Sequence, residues 1–232
     1  MKILGCWYSN NEINQKIIQG SLKSIWRAVE CSEKTEVNVV TCNWSAVNNN
    51  PFEEHITLYK MGVHLGIILQ ILRIFYEEEK KNNDYDAVCF LEHDVLYPPN
   101  YFDRVGQAFF YNPNAQVVSH MDYIGMNQTG WLRVVCRQEP MHQRSFRYAA
   151  AIEHIHSTVK EAVLNGNVIL EGNHYPQIQI PYEGLRPSCH INHSKHFTSH
   201  FNCYEKDSGG VVEHPYWGHF EKYYPAGEKS MT

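Results

Sequence analysis

Two clusters in this chain carry side chains able to do chemistry. The first is Glu92-His93-Asp94, where two carboxylates flank an imidazole. Carboxylate oxygens are hard ligands suited to Mg²⁺ or Mn²⁺, and such ions commonly hold substrate phosphates. The second is His190, His193, His196 and His200, spread over a polar segment near the C-terminal end. Imidazole accepts Mn²⁺ better than Mg²⁺. Three histidines at steps of three could instead form a zinc site of their own, but no HExxH is present, and a strand or loop would not set that spacing on one face. An acidic turn capping a core strand, and histidines without metal, are the plainer alternatives.

The elements around the first cluster restrict its position. Ala87 to Leu91 is an unbroken apolar run, the pattern of a strand buried on both faces of a mostly parallel sheet. It stops at Glu92, and Pro98-Pro99 then ends pairing and leads into a helix at about Tyr101. Ligands of open α/β sheets collect just beyond the carboxyl ends of the strands.

Upstream, Lys2 to Tyr8 reads as a strand, about Asn14 to Cys31 as a helix with Ile18, Leu22, Ile25 and Val29 at helical spacing, and Val37 to Cys42 as a second strand. A right-handed crossover joins them. A second helix is expected from near Thr57 to Lys80, its charged run Glu77 to Lys81 facing solvent. A short helix follows over Tyr101 to Phe110, then a strand over Gln116 to His120. The alternation predicts a doubly wound α/β sheet in one domain spanning residues 1–232, with halves at 1–120 and 121–232.

In the second half, residues 122–137 read as a hairpin laid across the end of the sheet. A helix is expected from Pro140 to about Leu164, with Glu139 at its cap. A helix dipole stabilises such a carboxylate as an anion, which does not favour a strong base. Arg133, Arg137, Arg144 and Arg147 make this segment locally basic, either to meet phosphates or as a solvated face. Val168 to Ile180 is strand-like. The tail from His214 to Pro225 is densely aromatic and could be a lid, a stacking surface or a docked extension.

A buried strand ending in acidic-X-Asp, then a proline turn and a helix, resembles the DXD region of GT-A-type glycosyltransferases, with Glu in place of the first Asp. His193-Ser194-Lys195-His196-Phe197-Thr198 looks like a diverged form of the family's C-terminal metal-binding segment. The resemblance implies a GT-A-like, Rossmann-like mixed sheet with a C-terminal metal-binding and aromatic extension. It implies Mn²⁺ or Mg²⁺ held by Asp94 and His193, with Glu92 as a further ligand or ribose contact and His190 in reserve for His193. It places the nucleotide against Tyr8, Ser9 and Asn10, with Asn43, Glu92 and His93 beside them, although each polar turn residue also reads as an ordinary loop. Glu139, then Asp122, would be the general base of an inverting reaction. The donor would be a nucleotide-diphosphate sugar, and the acceptor a glycan or the hydroxymethylated base of phage DNA. A nucleotidyltransferase of similar fold and a non-catalytic nucleotide- or sugar-binding module are the rivals. The Ser9-Asn10-Asn11 loop lacks the Gly-rich basic character usual in the former.

Composition agrees with a globular protein: 43% hydrophobic residues in 232, and a net charge of −5 that argues against a generic basic nucleic-acid binder. Seven cysteines without a CxxC suggest buried, reduced thiols at Cys6, Cys42 and Cys89 and a reducing compartment. Neither a signal peptide nor a membrane span is expected, so the expectation is a cytoplasmic protein.

Overall fold

The computed structural model describes residues 1–9, 15–60, 63–93, 95–120, 122–126, 132–135, 144–165, 175–180, 188–190, 213–214 and 218–219. In chain order these form β1 (Lys2–Tyr8), α1 (Gln15–Glu30), β2 (Glu36–Asn43), β3 (His55–Thr57), α2 (Val63–Lys80), β4 (Ala87–Glu92), β5 (Val95–Leu96), α3 (Tyr101–Tyr111) and β6 (Val117–His120). There follow β7 (Asp122–Met126), β8 (Leu132–Val135), β9 (Arg144–Arg147), α4 (Tyr148–Asn165), β10 (Gln177–Ile180), β11 (Ser188–His190), β12 (Glu213–His214) and β13 (Gly218–His219).

The main sheet has seven strands in the order β10-β6-β9-β4-β1-β2-β3. Its pairings are parallel except where β9 runs antiparallel between β4 and β6. Successive side chains of a strand point to opposite faces, so each central strand feeds two cores. Ile3, Trp7, Ala87, Cys89 and Leu91 meet α1 and α3 through Ile18, Leu22, Phe102 and Val105. Leu4, Cys6, Tyr8, Val88 and Phe90 meet α2 and α4 through Ile68, Ile71, Ala151 and Ile155. The result is the doubly wound, mixed α/β sheet that the alternating pattern predicts.

Three expectations are corrected. The second helix begins at Val63, because His55–Thr57 instead pairs parallel with β2 as the sheet edge. The helix expected from Pro140 begins at Tyr148, because Arg144–Arg147 is a strand inside the sheet. Phe146 is fully buried in that strand, its ring 5.4 Å from Phe90 and stacked 5.1 Å from the imidazole of His154. The charged run at the end of α2 is not all solvated either: Glu78 is fully buried.

The hairpin of the second half is real, β7 pairing antiparallel with β8, and it belongs to a second sheet of order β5-β11-β7-β8. On the α1/α3 face, the Asp103 carboxylate accepts from the backbone N–H groups of Glu33 and Lys34 and, at 2.7 Å, from the Thr35 hydroxyl. This ties α3 to the loop between α1 and β2. The approach is close enough that a Cβ on Gly106 would stand 2.5 Å from Thr35 Cγ2. Cys6, Cys42 and Cys89 are buried free thiols, as expected. Burial pushes Cys42 and Cys89 up to about 12, so both stay protonated and behave as apolar filler. Among the described residues, no helix is long and apolar enough to cross a membrane.

Candidate functional site

β1 leads through α1 to β2 on one side, whereas β4 lies on the other side of β1. The carboxyl ends of β1 and β4 therefore flank the point where the winding reverses, the place where open α/β sheets leave a crevice. The two strands end level, with Tyr8 directly across from Glu92. Tyr8 packs on the α2/α4 face, and strand alternation assigns Glu92 to the same face. Tyr8–Ser9 on β1 and Glu92–His93 on β4 are therefore the two lips of this switch point.

Each lip is tied down by side chains of a neighbouring element. On the β1 lip, the N–H of Ser9 donates to Gln70 Oε1 over 3.1 Å, and Gln70 Nε2 donates to the Ser9 carbonyl over 2.9 Å. The same N–H also approaches the Cys42 carbonyl at 3.3 Å. On the β4 lip, the N–H of Glu92 donates to the Tyr97 hydroxyl over 2.8 Å, and the Glu92 carbonyl accepts from the Ser21 hydroxyl over 2.9 Å. Ser21 Oγ also receives the Trp7 indole N–H at 3.4 Å. Tyr97 is fixed in turn, its N–H donating to Ser24 Oγ, whose hydroxyl donates to the Ser21 carbonyl. Burial, aided by the neighbouring Tyr101 and Glu92, raises the Tyr97 phenol far above its ordinary value, so it remains a hydroxyl.

Of the predicted nucleotide contacts, Tyr8 and Ser9 are buried at the β1 lip, and Glu92 and His93 are half-buried at the β4 lip. Asn43, the last residue of β2, is fully buried, and its Oδ1 accepts from the Trp44 N–H over 2.7 Å. Asn10, Asp94, Glu139 and His193 lie outside the described residues. The helix that the sequence led to expect just after Glu139 starts at Tyr148, and Glu139 itself is outside the described residues.

The second sheet brings two further candidates into the neighbourhood by register. His190 pairs with Val95, the residue after Asp94, and Asp122 pairs with Ser188 on the same strand, β11. Gln70, Ser21 and Tyr97 were not legible as site residues. Gln70 appears in the sequence only as a break in an apolar run, and the serines as ordinary helix positions.

Among the described residues, no three His, Cys, Asp or Glu side chains group closely enough to hold a metal ion. Glu92 supplies a carboxylate at the end of β4, a hard oxygen donor of the kind that suits Mg²⁺ or Mn²⁺.

The Arg147 side chain is turned to the backbone of its own fold. Its guanidinium donates to the carbonyls of Ala115 and Phe109 at 3.0 Å and of Pro113 at 3.3 Å, and it lies over the Phe109 ring. It satisfies carbonyls at the C-terminal end of α3 and in the turn beyond it.

No protein-family model and no curated protein matches this chain in sequence. Among solved structures it is similar to TarS 1–349 from S. aureus, at 13% identity over 82% of this chain and 60% of that one, with a TM-score of 0.49. It is also similar to a glycosyltransferase involved in the glycosylation of the major capsid of PBCV-1, at 10% identity over 84% and 95% of the two chains, with a TM-score of 0.47. A third is 2-C-methyl-D-erythritol 4-phosphate cytidylyltransferase from Thermus thermophilus, at 10% identity over 79% and 90%, with a TM-score of 0.47. This chain spans less than two thirds of the TarS 1–349 chain.

Proposed function

We propose that this chain is a GT-A-like glycosyltransferase that moves a sugar from a nucleotide-diphosphate donor to an acceptor hydroxyl. The observation that carries the reading is the level ending of β1 and β4 at the reversal of winding, with Tyr8 across from Glu92. That geometry sets a polar strand end beside an acidic one, and an acidic end receives a diphosphate only through a bridging cation.

In this reading the nucleoside lies against the Tyr8–Asn10 lip, and the diphosphate lies toward Glu92–Asp94. The acceptor oxygen attacks the anomeric carbon, the bond from that carbon to the diphosphate oxygen breaks, and the diphosphate leaves with the electron pair. The acceptor's proton passes to a carboxylate if the reaction inverts. Glu139 and Asp122 are the candidates; the strand of Asp122, β7, pairs with β11, which in turn pairs with β5 just after the acidic turn. A bound Mn²⁺ or Mg²⁺ would neutralise charge growing on the leaving diphosphate. Glu92, Asp94 and an imidazole would hold that ion. His190 is the imidazole that register favours, and His193 is three residues further on.

A saccharide hydroxyl is the acceptor we put first. Hydroxymethylated DNA rested on four arginines, of which Arg147 is committed to backbone carbonyls.

The test is a donor screen. UDP-, GDP- and CMP-sugars are incubated with the protein and Mn²⁺, and released nucleotide is measured. Release from one donor class, lost in Asp94→Ala, is the expected result. Pyrophosphate released from a nucleoside triphosphate and a sugar phosphate would identify nucleotidyl transfer instead. Unchanged release in Asp94→Ala would overturn the assignment of the acidic turn.

A further inference from the structure

Gln70 lies in the interior of α2, close to Ile68, Ile71 and Ile74, which are all fully buried. Gln70 itself is 1% exposed. A buried carboxamide costs free energy unless all its polar atoms are satisfied, and an aliphatic residue would fill a helix–sheet contact at no such cost. Here both ends of the amide go to a single residue 61 positions away. Oε1 accepts from the N–H of Ser9, and Nε2 donates to the carbonyl of Ser9. This paired contact is the one a neighbouring strand would make, supplied here by a helix side chain at the residue where β1 has ended.

The sheet does not need this contact to hold β1. The strand is paired with β2 over Lys2–Tyr8 and with β4 over Ile3–Tyr8, and the Ser9 N–H has the Cys42 carbonyl within reach. The amide holds only Ser9, the residue just past the end of the strand. We infer that Gln70 is a positioning residue for the nucleoside: it fixes the Ser9 backbone so that the β1 lip is formed before ligand arrives. Preformed geometry of this kind lowers the ordering cost of binding. The inference rests on the proposed function and deepens it, by naming what shapes the nucleoside side of the crevice.

Two substitutions test it through binding of UDP, GDP and CDP, measured by calorimetry beside the wild type under conditions where circular dichroism shows each protein folded. Gln70→Glu keeps the shape. A protonated carboxyl there can accept from the Ser9 N–H and donate to its carbonyl, as the amide does, whereas the ionised form sets a negative oxygen against that carbonyl. Burial raises a carboxyl's pKa, so both forms are within reach of a pH series from about 5 to about 8.

The affinity of Gln70→Glu relative to wild type should be near one at the acid end and fall about tenfold at the alkaline end. Gln70→Met, apolar and of similar length, should be about tenfold weaker than wild type across the whole series. A merely structural role would lower the melting temperature in both variants and leave the affinity ratios at one throughout, which overturns the inference alone. If the wild type binds none of the three nucleotides, the proposed function fails and this inference fails with it.

Discussion

The Ser21 hydroxyl on α1 donates over 2.9 Å to the carbonyl of Glu92, the last residue of β4. With the Tyr97 hydroxyl accepting from the Glu92 N–H at 2.8 Å, both backbone groups of that residue are held by side chains. The turn that carries the acidic triplet therefore leaves the sheet from a fixed point.

Removing the Tyr97 hydroxyl should loosen that point without emptying the core. Tyr97→Phe keeps the ring, which packs edge-on to Tyr101 at 4.8 Å, and leaves the Glu92 N–H without this acceptor. A loss of about 1–2 kcal/mol is expected in urea unfolding. Donor turnover should fall by more than the loss of folded protein explains. Turnover that simply tracks the folded fraction would show that the turn does not depend on this bond.

Acid stability should depend on Glu78. Burial by itself would raise its carboxyl, but hydrogen bonds from Lys81 at 2.7 Å, Tyr85 at 2.5 Å and Asn83 at 3.0 Å outweigh that and hold it below the usual value. A carboxyl depressed in the folded state stabilises the fold above its unfolded pKa, about 4.3, and that contribution is lost as pH falls through the folded value. Glu78→Gln should cost about 2 kcal/mol near neutral pH, and the gap to wild type should close as pH drops below about 4. Urea midpoints across that range decide it, since a constant gap would contradict a charged Glu78.

Arg147 should matter to folding and not to nucleic acid. Arg147→Lys cannot reproduce the forked contact to the Ala115, Phe109 and Pro113 carbonyls, and a loss of about 1–3 kcal/mol is expected. Binding to duplex DNA, titrated against salt, should keep the wild-type slope. A slope reduced by about one would return Arg147 to the phosphate contacts.

The layers of this protein could be read from local pattern. Lys2–Tyr8, the helical spacing of Ile18, Leu22 and Ile25, and the apolar run Ala87–Leu91 each exceed one period of their element, and each formed where expected. The switch point between β1 and β4 follows from them, because β-α-β winding leaves few arrangements open.

Other features lay beyond local pattern because their cause is remote in the chain. Arg144–Arg147 is four residues with arginine at both ends, too short and too polar to show a strand period, and it becomes a strand because β4 and β6 present unpaired edges on either side of it. Glu78 stands in a charged run and is buried only because Tyr85, Asn83 and Asn38 converge on it. Gln70 and Ser21 acquire their roles from backbone groups 61 and 71 residues away. Periodicity records which face of an element is buried. What a buried polar group bonds to is set by the elements that pack against it, and that pairing is a property of the folded chain.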